Sequence, residues 1–131
     1  MVVDTSALVA YIADEDERRL FEDLILHAPV AVISTVSVVE ATIVLYNKRI
    51  DYDLNRLHEA ISFLRLDVRG VDLNQGRLAQ KAYLQYGRGR SPPALNFGDC
   101  FAYALAKARK DVLLFKGDDF AQTDIVPAWR P

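Results

Sequence analysis

Apolar residues run along this chain in two rhythms. Three short continuous runs, Met1-Val-Val3, Val30-Ala-Val-Ile33 and Val112-Leu-Leu-Phe115, have the length and β-branched content of buried strands. Between them, apolar positions recur at helical spacing. Residues 5–12 predict a short apolar helix, and residues 15–27 an amphipathic one with Leu20, Phe21, Leu24 and Ile25 on one face. Residues 36–48 predict a helix capped by Ser34 or Thr35, with Val39, Ile43 and Tyr46 as its stripe. Further helices are predicted over residues 54–66 (Leu57, Ile61, Leu64), 75–86 (Leu78, Ala82) and 98–108 (Phe101, Leu105, Ala108), the last capped by Asn96. Residues 68–73 read as a weaker strand and Ile125-Val126 as a short edge strand. Strands alternating with helices define an α/β domain around a mostly parallel sheet. In such sheets, sites form in the crevice beyond the carboxyl ends of the strands.

Composition narrows the function. The 131 residues suit a single domain, residues 1–131, and 51% hydrophobic against 26% charged excludes a disordered chain. The single cysteine, Cys100, excludes a disulfide framework and a multi-cysteine zinc site. It reads as a packing residue, because no histidine is near it in sequence to support a nucleophile. The longest apolar run, residues 7–13, falls far short of the roughly 20 residues that span a bilayer. With no visible secretory signal, the expected compartment is the cytoplasm, with no membrane partner. Sixteen Lys+Arg against 18 Asp+Glu leave a net charge of −2, which excludes nucleic-acid binding by bulk charge. A local basic patch must serve instead. The loop Tyr86-Gly-Arg-Gly-Arg90 offers one, with Arg88 and Arg90 for phosphates and Tyr86 as a stacking face. Lys116, between the last strand and an acidic pair, extends it.

Acids follow the predicted strands. Asp4 comes directly after Val2-Val3, and Asp118-Asp119 come after the last strand across a Lys-Gly turn. Glu40 lies about one turn into the helix after the second strand, and Asp99 opens the helix leading to the last. Each has an ordinary alternative: Asp4 as a helix N-cap, Asp99 as a first-turn acid, Asp118 and Asp119 as turn residues. Glu40 has no capping role, since it sits among Val and Ile in mid-helix. Carboxylates gathered at one rim repel each other and hold protons until a cation compensates them. Oxygen donors without Cys or His suit Mg²⁺, with Mn²⁺ also fitting, better than Zn²⁺. A water polarised there attacks phosphorus, so a phosphodiester is the natural substrate. His27 and His58 stand outside any metal-spaced motif and disfavour a histidine-pair ribonuclease.

At these residues the chain resembles the PIN domain, and within it the VapC toxins of type II toxin–antitoxin pairs. The matching segments are Met-Val-Val-Asp4-Thr-Ser-Ala-Leu8, Ser37-Val-Val-Glu40-Ala, Leu95-Asn-Phe-Gly-Asp99-Cys-Phe-Ala-Tyr-Ala104 and Leu113-Leu-Phe-Lys-Gly-Asp-Asp-Phe120. They span essentially the whole chain, and the segment around Asn96 to Cys100 is the most specific. The resemblance implies a three-layer α/β/α sandwich with a five-stranded, mostly parallel sheet. It also implies a Mg²⁺- or Mn²⁺-dependent endoribonuclease, with transfer RNA as the family-level substrate. The implied partners are a cognate VapB-like antitoxin and a second copy in a homodimer. Carried over, Asp4 and Asp99 are the metal ligands and Glu40 the third acid; either Asp118 or Asp119 is the fourth. Thr5 or Ser6 offers a hydroxyl to a water or phosphate. Two rivals stand beside this reading: a haloacid-dehalogenase-like phosphohydrolase, which wants an acid where this chain has Ser6, and a non-catalytic binding module.

Overall fold

Adjacent residues of each central strand face opposite sides of the sheet, and both sides are apolar. In the computed structural model, which describes residues 1–87, 89 and 95–131, β1 is Val2–Val3, β2 Val32–Ser34, β3 Asp67–Arg69 and β4 Leu113–Leu114. Val3, Ile33 and Leu114 point into one core; Val2, Val32 and Leu113 point into the other. The first core is roofed by α1 (Thr5–Ile12), α2 (Arg18–His27), α3 (Thr35–Asn47) and α4 (Asn55–Phe63). The second is roofed by α5 (Leu73–Tyr86) and α6 (Phe97–Arg109). The result is the expected α/β/α sandwich.

The sheet order is β3-β2-β1-β4, and every pairing is parallel. The chain winds from β1 outward through β2 to β3, then returns to place β4 on the other side of β1. The order therefore switches direction at β1, and the crevice opens where β1 and β4 end. Asp4 N–H donates to the Leu114 carbonyl at 2.9 Å, locking those two strand ends together.

Several expectations need correction. Among the described residues the sheet has four strands, not five. The expected edge strand at Ile125-Val126 is reduced to one parallel bridge between Leu113 and Pro127. Pro127 has no N–H to continue a ladder. The third strand starts at Asp67 and stops at Arg69, because Asp72 already caps α5 by accepting from Gln75 N–H at 2.8 Å. The second helix starts at Arg18, later than residue 15. The face of α3 is also reversed. Val39, Ile43 and Tyr46 are 55%, 56% and 56% exposed, while Ser37, Ala41 and Leu45 are buried. Arg88 and Arg90 lie outside the described residues.

Candidate active site

Asp4 leaves β1 in an extended conformation and caps α1, its Oδ2 accepting from Ser6 N–H at 2.9 Å. The Ser6 hydroxyl donates to the same oxygen at 2.6 Å. The other oxygen, Oδ1, is buried and has no hydrogen-bond partner. Burial pushes the Asp4 carboxyl up to about 6, although the two bonds from Ser6 pull it back, and the Glu40 charge adds to the rise. The capping role and the candidate ligand role thus fall on different oxygens of one side chain.

Asp99 is the third residue of α6 and closes a capping box. Asn96 Oδ1 accepts from Asp99 N–H at 2.8 Å, and Asp99 Oδ2 accepts from Asn96 N–H at 3.0 Å. The box occupies one Asp99 oxygen and orients the carboxyl. Burial again dominates, pushing it up to about 7; the Asn96 bond opposes this, and the charges of Asp4, Asp119 and Glu40 reinforce it. Asp4, Glu40 and Asp119 are therefore all within electrostatic reach of Asp99, and Glu40 also of Asp4. Asp118 is exposed and lines a different cleft with Glu17, Lys116 and Trp129.

Glu40 reaches this rim across a glycine. A Cβ at Gly98 would overlap the Glu40 carboxylate, so that carboxylate lies directly on the backbone of the first turn of α6. An apolar border flanks it. Val36, Val39, Ile43 and Phe97 line the groove beside Glu40, and Phe97 is 74% exposed.

The hydroxyls and the lysine all have partners within the protein. Thr5 Oγ1 donates to the Ser37 carbonyl at 3.0 Å, joining α1 to α3. Ser6 Oγ accepts from Lys116 N–H at 2.9 Å. The Lys116 ammonium pairs with Glu15 and, at 2.9 Å, with Glu17, and these carboxylates hold it above the usual lysine range. The sequence placed Lys116 in a phosphate patch; the fold pairs its ammonium with Glu15 and Glu17 instead. Gly98 and this ion pair are the site features that sequence reasoning missed. A glycine inside a helix's first turn, where it costs about 1 kcal/mol relative to alanine, was the available signal for the first. The Lys116 pairing crosses about a hundred residues and leaves no local signal. Cys100 is buried, and burial, then the Asp99 charge, push its thiol up to about 11, away from nucleophilic use.

Among the described residues, no three His, Cys, Asp or Glu side chains form a ready cation cage. The rim nevertheless fits a hard cation that keeps most of its waters and takes one or two carboxylates. It presents an orphaned buried oxygen on Asp4, a second carboxyl pushed up to about 7 on Asp99, and two more acids around them. Among the described residues, no helix is long and apolar enough to cross a membrane.

The PIN domain family profile matches residues 1–126. The chain is 43% identical over 126 residues to ribonuclease VapC28 of Mycobacterium tuberculosis, covering 95% of each. It is 41% identical over 132 residues to ribonuclease VapC of Mycolicibacterium smegmatis, covering 95% of this chain and 97% of the relative. Its fold matches the crystal structure of VapC20 from Mycobacterium tuberculosis, a sarcin-ricin loop cleaving toxin, with a TM-score of 0.74 at 17% identity over 99% of this chain and 98% of that one. A toxin–antitoxin complex from Klebsiella pneumoniae matches with a TM-score of 0.72 at 17% identity, covering 99% and 98%. With nearly its whole length matched, the chain belongs to the PIN-domain family and, within it, to the VapC ribonucleases.

Proposed function

We propose that the protein is a cytoplasmic, divalent-metal-dependent endoribonuclease, the toxin of a VapBC-type pair. The observation that carries this is the state of Asp4 and Asp99: two buried carboxyls whose charged forms are disfavoured, one with an orphaned oxygen, at the sheet's switch point. Asp4 Oδ1 and the Asp99 oxygen outside the capping box are the atoms that would hold Mg²⁺ or Mn²⁺. When bound, such a cation would supply charge compensation and Lewis-acid polarisation. Of the acidic pair after β4, Asp119 is the better fourth acid, because its charge is the one Asp99 feels. Glu40, whose carboxylate lies on the Gly98 backbone, would take a proton from a water attacking phosphorus. Substrate phosphates are left to Arg88 and Arg90, since Lys116 is already paired.

The partner reading follows from the same rim. A cognate antitoxin of the VapB kind would place a basic segment on the carboxylates, with apolar residues against Val39, Ile43 and Phe97. A second copy of the chain completes the homodimer expected of the family.

Asp99→Asn tests the reaction. The amide retains an oxygen for the Asn96 N–H, so the variant keeps α6 and the fold while losing the metal-binding charge. RNA cleavage is expected to fall at least about 100-fold and, in the native protein, to stop on adding a chelator. A folded Asp99→Asn protein that cuts RNA at the native rate would overturn the proposal, as would native cleavage that ignores the chelator. A stable phosphoryl adduct on Asp4 would favour the phosphohydrolase rival instead.

A further inference from the structure

The bonds around Asp4 go beyond helix capping. The N–H of Ser6 on Asp4 Oδ2, at 2.9 Å, is an ordinary cap. The Ser6 hydroxyl is not needed for it, yet it makes two bonds of its own. It accepts from Lys116 N–H, 110 positions away, at 2.9 Å. With a donor on its oxygen, its single proton is directed to Asp4 Oδ2, 2.6 Å away. Lys116 is fixed in turn, because its ammonium is gripped by Glu15 and by Glu17 at 2.9 Å, both in the segment between α1 and α2. Two donors occupy Oδ2, while the buried Oδ1 has no partner.

We infer that Ser6 is a positioning residue, held by Lys116 and its Glu15–Glu17 clamp, that leaves Asp4 a single oxygen, Oδ1, for the cation. The inference rests on the proposed metal-dependent reading of the site. Its physical content is geometric. A carboxylate free to rotate can offer either oxygen or both, whereas one pinned through Oδ2 presents Oδ1 in one direction. Hydrogen bonds that orient a ligand typically change metal affinity about 10- to 100-fold when lost. Ser6 and Lys116, assigned from sequence to substrate, thus act through Asp4.

Calorimetric titration of the full chain with Mn²⁺ tests this without relying on turnover. Ser6→Ala is expected to weaken Mn²⁺ about 10-fold, and Ser6→Thr, which keeps the hydroxyl, to stay within about threefold of native. Lys116→Met keeps the backbone N–H but removes the clamp, and is expected to weaken Mn²⁺ by about threefold to fivefold. In cleavage assays, Ser6→Ala should need more Mg²⁺ for half-maximal rate yet recover most of its kcat at saturation, a split that a general loss of structure does not produce. Asp99→Asn separates the two levels. If Asp99→Asn loses Mn²⁺ binding while Ser6→Ala and Lys116→Met bind as native, the positioning role is overturned and the nuclease reading stands. If Asp99→Asn binds Mn²⁺ as native, the metal-dependent reading itself falls. Should Ser6→Ala not fold, Lys116→Met decides alone: native affinity there overturns the inference.

Discussion

At the scale of single residues, the site works by assigning each atom of a side chain one task. Asp4 spends Oδ2 on a cap and leaves Oδ1 bare; Asp99 spends Oδ2 on its capping box. Gly98 contributes by having no side chain at all, since the Glu40 carboxylate fills the space of its Cβ. This yields a prediction in which stability and activity part company. Gly98→Ala should stabilise α6 by up to about 1 kcal/mol through helix propensity. The methyl must also displace Glu40, so cleavage should fall at least about 10-fold with the melting temperature unchanged or raised. Native cleavage in that variant, or collapse of the fold, would count against the Glu40 placement. Asp4 and Asp99 were legible in the sequence because acids stand where strands end and helices begin. What Ser6 and Lys116 do was not, because their bonds cross the whole chain and follow no sequence period.

At the scale of elements, strand and helix order was legible throughout, and the errors have physical causes. Helix α3 is apolar on nearly every side, so its spacing could not say which stripe faces in; small residues decided it. Ser37 and Ala41 are buried and allow close approach to α1, and the bulkier Val39 and Ile43 turn outward beside Glu40. Helix α4 shows a different kind of hidden support. Its N-cap residue, Leu54, sits at φ +68° and has no capping side chain. Asp51, buried three residues earlier, reaches in to accept from Leu57 N–H at 2.9 Å. Asp51→Ala should therefore cost about 1–2 kcal/mol of stability, as loss of a cap does. Cleavage per folded molecule should not change, because Asp51 stands apart from the acidic rim. Denaturant unfolding checks the first part and RNA cleavage the second. A variant as stable as native would show that α4 does not depend on this carboxylate.

For the whole molecule, the acidic rim makes stability a function of pH and, on the proposed reading of the site, of cation. In the folded, metal-free protein Asp4 holds its proton to about pH 6 and Asp99 to about pH 7, chiefly because both are buried. Unfolded, each releases it near pH 3.9, the usual value for an aspartate, so between about pH 4 and about pH 7 the native state binds more protons. Stability must then fall as pH rises through that window. Ion-paired acids act oppositely but elsewhere. Asp124, held low by Lys107 and Tyr103, and Glu17, held low by Lys116, contribute stability that is lost only as pH drops below the usual carboxylate range. With chelator present, the melting temperature should therefore decline from about pH 5 to about pH 8. A cation that binds the deprotonated carboxylates reverses this. At a hundredfold excess over its dissociation constant it adds about 2.7 kcal/mol, and it adds least at low pH, where protons compete. The decisive comparison is between melting curves with chelator and with Mn²⁺ across that range, for the native chain and for Asp99→Asn. The native curves should separate as pH rises. The Asp99→Asn curves should lie together and decline less steeply, because one of the two buried charges is gone. If the native curves coincide at every pH, the rim does not bind the cation and its burial of carboxyls has some other purpose.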